Sequence, residues 1–356
     1  MLKRLEDQRG IAILIAIAII TVLIAVTLEL NRQVRSALVS TAAARDNLTL
    51  LQMANSGVNL AMAVLIKDKY DSDIDSLQED WADQGKLAEL FQEIPFETGK
   101  VTVTITDERS KIQVNALVDF PLNRDFIEPQ RNVWEHFLTL LISQYELSDD
   151  VEATTIINAT KDWLDKGDDD AISGLSGAES DYYQDLEPPY TAKNGPITHL
   201  GELEFIKGIT PELFHGIGLK PGISRYMTPF GLAFTSDSGE IFDGKININT
   251  ADLPVLTAIL PVENEDLALS IFEYRQEKSD DQYVHDLAGP TWYKEAPGCG
   301  DLDIDPDLIT TQSDIFRIEA VAQLQDMKIE IDTVVHRQKA SETGKWTCKV
   351  LSWQAK

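Results

Sequence analysis

The sequence predicts an α+β fold: a long N-terminal helix packed on an antiparallel sheet, with a large helical domain inserted between the early and late strands of that sheet. Three observations carry this. Ile11–Leu28 is an uncharged run of Ile, Leu, Val, Ala and Thr, and Glu29–Lys67 continues it with no Pro and a single Gly. Lys100–Thr106 alternates strictly, and strands return at Ile315–Ala322, Lys328–Val335 and Trp346–Trp353; period-two alternation of β-branched residues is the mark of a half-buried strand. Between these sets, from Phe120 to about Asp305, alternation is scarce and helical spacing dominates.

Taken in order, residues 1–10 form a short leader with Lys3, Arg4 and Arg9 against Glu6 and Asp7. The apolar run 11–28 is just long enough to cross a hydrocarbon core, at about 27 Å of helix. No small-residue cleavage site follows it, which argues against an ordinary secretory signal. A plain signal anchor is one reading. The junction Arg9-Gly10-Ile11 supports another, a prepilin-type signal cut between Gly10 and Ile11 on the cytoplasmic side. The basic leader favours that side for the N-terminus and places the body outside. From residue 29 to 67 an apolar stripe recurs mostly in steps of three and four (Leu30, Val34, Ala37, Leu38, Ala42, Leu48, Leu51, Ala54, Val58, Ala61, Leu65), the period of a one-faced helix.

Residues 68–118 are expected to begin the head. An acidic, turn-rich stretch and a short helix into Phe91 lead to a hairpin of Lys100–Thr106 with Lys111–Val118 around Asp107–Ser110. The inserted domain is assigned to 119–305, with helices around Trp134–Ile142 and Val151–Leu164, and residues 306–356 return to the head sheet. Fifty-nine acidic against 31 basic side chains give a net charge of −28. That excludes a nucleic-acid surface, which needs basic residues to neutralise phosphates. Cys299 and Cys348 have no metal-ligand spacing; in an extracytoplasmic body they are either paired or two unconnected thiols.

Between Lys161 and Glu187 lie nine carboxylates, with Gly167, Gly174 and Gly177 among them. Calcium takes six to eight hard oxygens from flexible loops, and this stretch offers that chemistry. It is no EF-hand: counting Asp168 as the first position puts Ile172 at the fifth and Ser173 at the sixth, where a ligand and Gly belong. A solvated acidic loop and a calcium loop of another kind both stand. Phe205–Leu213 and Ile246–Leu256 look like helix-hairpin-helix pieces, but Glu263, Glu265 and Asp266 would repel phosphate. The five histidines are scattered without H-E-x-x-H, and Gly174-Leu-Ser-Gly lacks the second spacer of a nucleophile elbow. No enzyme is expected; a membrane-anchored periplasmic hydrolase is the rival class.

Arg9-Gly10-Ile11, Asp162-Trp-Leu-Asp165 leading to Gly177-Ala-Glu-Ser-Asp-Tyr-Tyr183, Ala192-Lys-Asn194, and Ile246-Asn-Ile-Asn-Thr-Ala251 occur in one chain. In that combination the sequence resembles the type II secretion minor pseudopilin K family over nearly its whole length. A minor pilin of a type IV pilus shares the stalk logic and is the alternative. The resemblance implies a pilin-like head interrupted by a helical domain with bound calcium. It implies processing by a prepilin peptidase, a single pass of the inner membrane and a periplasmic body. The chain would assemble, through stalk and head, with other minor pseudopilins into the tip complex that starts and caps the pseudopilus. Calcium ligands are expected among Asp165, Asp168, Asp170, Glu179 and Asp181, with Asp162 one turn earlier. Most such subunits carry Glu at the fifth position after cleavage; here it is Ile15, a departure typical of the member at the filament end.

Overall fold

The structure is a computed structural model that describes residues 9–92, 99–145, 151–167, 172–235 and 239–356; the leader before Arg9 lies outside them. Helix α1 runs unbroken from Arg9 to Asp71, about 95 Å at helical rise. Residues 10–45 are exposed throughout, including Ile15 and every large apolar residue up to Leu28. One 18-residue window of the helix has a mean hydropathy of 3.2, apolar and long enough to cross a membrane. The predicted stripe is used inside the chain only from Leu50 onward, where Leu50, Met53, Ala54, Val58, Ala61 and Leu65 are buried. Leu30, Val34, Leu38 and Leu48 remain exposed.

That buried stripe packs on a four-stranded antiparallel sheet in the order β1 (Lys100–Asp107), β2 (Ile315–Leu324), β3 (Met327–Lys339), β4 (Trp346–Ala355). Val103 and Ile105, Phe316, Ile318 and Ala320, and Ile331 and Val335 face the helix. Trp81 meets Phe316 edge-on at 5.2 Å, and helix α2 (Gln84–Gln92) adds Leu87 and Phe91 to the same core. Gly57 sits where the helix comes closest: a Cβ there would lie 2.8 Å from Val101 Cγ1 and 3.1 Å from Val103 Cγ2.

The expected hairpin does not form. β1 pairs in register with β2, Ile105 opposite Ile318, about two hundred residues later. Ile112–Gln113 instead pairs in parallel with Met227–Thr228. The alternation was sound evidence of a strand, but it carries no information about the partner. A 3-10 turn at Glu108–Ser110 leads the chain out of the sheet, and Ile112, Val114, Leu117 and Val118 enter a second core. The inserted domain therefore starts about ten residues earlier than expected. It also ends later, since Leu308 and Ile309 belong to its core and Ile309–Thr310 pairs with Ile246–Asn247.

That second core is built on α3 (Glu128–Tyr145), α4 (Ala153–Leu164), α5 (Ser180–Gln184), α6 (Pro211–His215), α7 (Leu253–Ile259) and α8 (Ala268–Tyr274). Cys299 is buried in it, whereas Cys348 packs against the head; both thiols are free.

Candidate functional site

Helix α4 is amphipathic, burying Ile156, Ile157, Trp163 and Leu164. Its last turn places Asp162 and Asp165 three residues apart, on one face. Asp162 is fully buried and accepts backbone N–H bonds from Ser173 (3.0 Å) and Ala178 (2.7 Å). The loop that follows is thus folded back over the end of the helix. Gly177 makes the fold possible: a Cβ there would lie 2.1 Å from Asp162 Oδ2 and 2.8 Å from Ser173 N. Glu179, buried, then opens α5 without capping it through its side chain.

The result is a compact acidic centre. Carboxylate oxygens of Asp162, Asp165 and Glu179 lie within 4.8 Å of one another. Lys161 Nζ, 2.9 Å from Asp165 Oδ2, offsets part of the charge. Around the centre an aromatic cluster holds the loop to the domain: Trp163 lies edge-on to Tyr183 at 5.3 Å, and Tyr183 stacks on Tyr190. Burial pushes the Tyr183 hydroxyl well above its ordinary range, so it stays neutral beside the carboxylates. Lys207 Nζ donates to the Ser176 and Gly177 carbonyls and covers Tyr182.

Two asparagines from outside the loop close on the same helix end. Asn123 donates through Nδ2 to the Leu164 carbonyl and accepts from Lys166 N through its own carbonyl. Asn194 precedes Gly195, whose N–H bonds the Trp163 carbonyl. The Oδ1 atoms of both asparagines are buried and accept no hydrogen bond among the described residues. The donor set is all oxygen, with no His or Cys in the acidic group. It fits a hard cation such as Ca²⁺, which favours carboxylate and carboxamide oxygens, and does not suit Zn²⁺, whose sites are built on nitrogen and sulfur.

Of the residues expected from sequence, the structure brings Asp162, Asp165 and Glu179 together. Asp181 is exposed in the first turn of α5 and is not part of that group. Asp168 and Asp170 lie outside the described residues. Asn123 gave no signal, being about forty residues upstream; its positive φ of 51° is visible only in three dimensions. Gly10 and Ile11 sit in the exposed first turns of α1.

A second acidic group has a different character. Asp68, Asp75 and Glu79 also approach within 4.8 Å, but Arg337 already pairs with two of them. Its guanidinium donates to Asp68 Oδ2 (3.0 Å), to Asp75, and to the Leu65 and Ser313 carbonyls. It ties the end of the stalk to β3 and supplies there the positive charge that a metal would otherwise bring. Nearby, buried Asp107 accepts from Arg109 N, Asn247 Nδ2, Thr250 Oγ1 and Ser313 Oγ. One carboxylate thus joins the head to both arms of the insertion.

Comparison with known proteins supplies the context. Residues 110–221, the first half of the inserted domain with its acidic centre, match the family described as type II secretion system (T2SS), protein K. Type II secretion system protein K of Aeromonas hydrophila is 25% identical over 337 residues, 93% of this chain and 94% of the relative. The protein of the same name from Klebsiella pneumoniae is 25% identical over 273 residues, 76% and 74% of the two chains. A chain of the GspK-GspI-GspJ complex from enterotoxigenic Escherichia coli shares the fold, with a TM-score of 0.62 at 18% identity, over 89% of this chain and 99% of that one. Over nearly its whole length the chain is thus similar to type II secretion system protein K, and the first half of its insertion matches that family's model.

Proposed function

We propose that this chain assembles with other minor pseudopilins into the tip complex that initiates and caps the periplasmic pseudopilus. The observation that carries the proposal is the stalk: some thirty-five residues of α1, apolar for half their length, are exposed on all sides in the lone chain. A surface of that size and character is stable only in lipid or against other helices. The solved relative is a complex of three different Gsp proteins, which supports partners of the same class.

Residues 11–28 would cross the inner membrane once, with the N-terminus cytoplasmic and the body periplasmic. Prepilin peptidase would cut between Gly10 and Ile11. Ile15 offers no carboxylate to pair with the free N-terminal amine of a neighbour, so this subunit contributes nothing to charge pairing along the filament and suits its end. Calcium would bind at Asp162, Asp165 and Glu179, with Asn123 and Asn194 as neutral oxygen donors, and hold the loop on the insertion. Coexpression with the other minor pseudopilins of the same secretion system tests the assembly. Copurification in detergent is expected, and its loss on replacing Leu30, Val34 and Leu38 by Glu. A wild-type chain recovered alone would reduce α1 to a plain anchor.

A further inference from the structure

The head sheet has two edges, and they differ. On the β1 side α2 packs alongside and contributes to the core. On the other side β4 pairs, among the described residues, with β3 alone. At its end, Lys356 N donates to Glu330 O (2.8 Å) and Glu330 N to Lys356 O (3.1 Å). Main-chain groups of an antiparallel strand turn to the partner at every second residue. Trp353 and Ala355 therefore turn their N–H and C=O groups away from β3, to the open edge. An extra residue, Leu351, bulges where Val335 faces Val350 but Val334 faces Ser352. Natural edges are blunted by charge, bulges, proline or brevity; this one carries Lys349 and the bulge, which disfavour indiscriminate pairing, but it is ten residues long, free of proline, and has half-exposed Val350 and Trp353.

Charge singles out the same edge. The chain carries a net −28, yet Lys345–Lys356 has three lysines and no acidic side chain. Lys345 and Lys349 are exposed, as is Lys339 on the neighbouring strand, its ammonium 5.2 Å from the Trp346 ring. Lys356 is already paired with Asp332 of β3 at 3.4 Å, but pairing of β4 with a second copy of itself would still bring exposed Lys345 and Lys349 toward their own copies. An acidic strand meets the opposite situation. β4 also packs beside α1, so a subunit whose stalk lies along this one brings its head to this edge.

We infer that β4 is a docking edge that accepts an extended strand with acidic side chains from the head of a neighbouring pseudopilin. The main chain of that strand would continue the sheet beyond β4, as in strand addition generally, and the lysine rim would select it over other strands. The inference rests on the tip-complex assembly proposed above.

The full-length chain, alone and copurified with its minor pseudopilins in detergent, decides the matter by amide hydrogen exchange. The Trp353 and Ala355 amides are expected to exchange at least about tenfold more slowly in the complex. The variant Lys339→Glu, Lys345→Glu, Lys349→Glu, altered only at exposed side chains, is expected to lower partner recovery by about threefold or more at low salt. Copurification with unchanged exchange at both amides, and undiminished recovery of the triple variant, would overturn the docking edge while leaving the tip assembly standing. Failure of the wild-type chain to copurify would count against the assembly itself. Protection that grows with protein concentration in the chain alone would mean self-pairing, and would overturn the acidic partner.

Discussion

Gly177 and Asp162 form the tightest contact of the acidic centre, and it is steric before it is electrostatic. The backbone at Gly177 lies outside the left-handed region, so alanine meets no conformational penalty there. Its Cβ would instead fall 2.1 Å from a buried carboxylate oxygen. Gly177→Ala is expected to destabilise the inserted domain by about 1–3 kcal/mol and to weaken calcium binding about tenfold, by turning Asp162 out of place. Terbium luminescence sensitised by Trp163 reads the second effect. Gly167→Ala, with nothing within 4 Å of its Cβ but a φ of +142°, is the contrasting case: it should lower stability through backbone strain and leave the ion geometry alone. Protonation is a second residue-scale matter. Burial, with repulsion from Glu79 and Asp75, pushes Asp68 up to about 7 against the pull of Arg337. Burial likewise holds Asp107 at about 6 despite its hydrogen bonds. A carboxyl whose folded pKa is raised binds more protons folded than unfolded between roughly pH 4 and that pKa. Its contribution is therefore present below about pH 4 and lost as pH rises to 6 or 7. Glu108 runs the other way: burial opposes its charge, but Lys111 and Arg317 prevail and hold it at about 2, so its contribution is lost as pH falls from about 4.5 to 2. Asp68→Asn keeps an oxygen for Arg337 and removes the titration. Urea midpoints at pH 5 and pH 7.5 should differ less for the variant than for the parent. Of this centre, the sequence disclosed the carboxylates, since nine fall in one stretch. Which of them meet depends on the path of the loop over Asp162, and only coordinates show that path.

Among the elements, the stalk was legible in full and the sheet in part. An uninterrupted helix needs only the absence of Pro and a continuing apolar stripe, and both are local properties. The β1 partner is not local. Lys100–Thr106 and Lys111–Val118 alternate equally well, yet the first pairs with β2 and the second enters the inserted core, because a 3-10 turn rather than a hairpin turn separates them. Gly57 illustrates the same limit. In sequence it is a weak point in a helix, about 1 kcal/mol worse than alanine. In the fold it is the point where α1 lies on Val101, Val103 and Ala320. Gly57→Ala thus gains propensity and loses fit, and Val101 must shift to admit it. Gly57→Leu admits no such adjustment and should destabilise the head by several kcal/mol. Thermal unfolding of the two variants checks this: a modest change for alanine, and for leucine a loss of the head's cooperative transition.

On the scale of the whole molecule, the described residues form two hydrophobic cores, one of stalk and sheet, the other of the insertion. Polar links join them: Asp107 to Asn247, Thr250 and Ser313, Arg109 to Asp243 at 2.8 Å, and Asn247 Nδ2 to the Asp75 carbonyl at 2.9 Å. A large head-to-insertion separation in sequence costs little by itself, since loop-closure entropy grows only with the logarithm of length. The acidic centre lies wholly within the insertion, and its residues touch the head nowhere among these links. Calcium bound as proposed should therefore stabilise one of the two cores directly and the other only as far as the polar junction transmits it. A ligand at a hundred times its dissociation constant adds about 2.7 kcal/mol to whatever it binds when folded, or roughly 5–10 °C for a domain of this size. Differential scanning calorimetry of the full chain in detergent, with EDTA and with millimolar calcium, should show a transition that moves by this amount and one that moves much less. Asp107→Asn, which puts a donor where four donors already converge, should widen the gap between them by loosening the junction. A single transition that shifts as one with calcium in both proteins would mean that the junction couples the cores fully. No shift at all would remove calcium from the acidic centre, and leave Asp162 as the staple of a solvated loop.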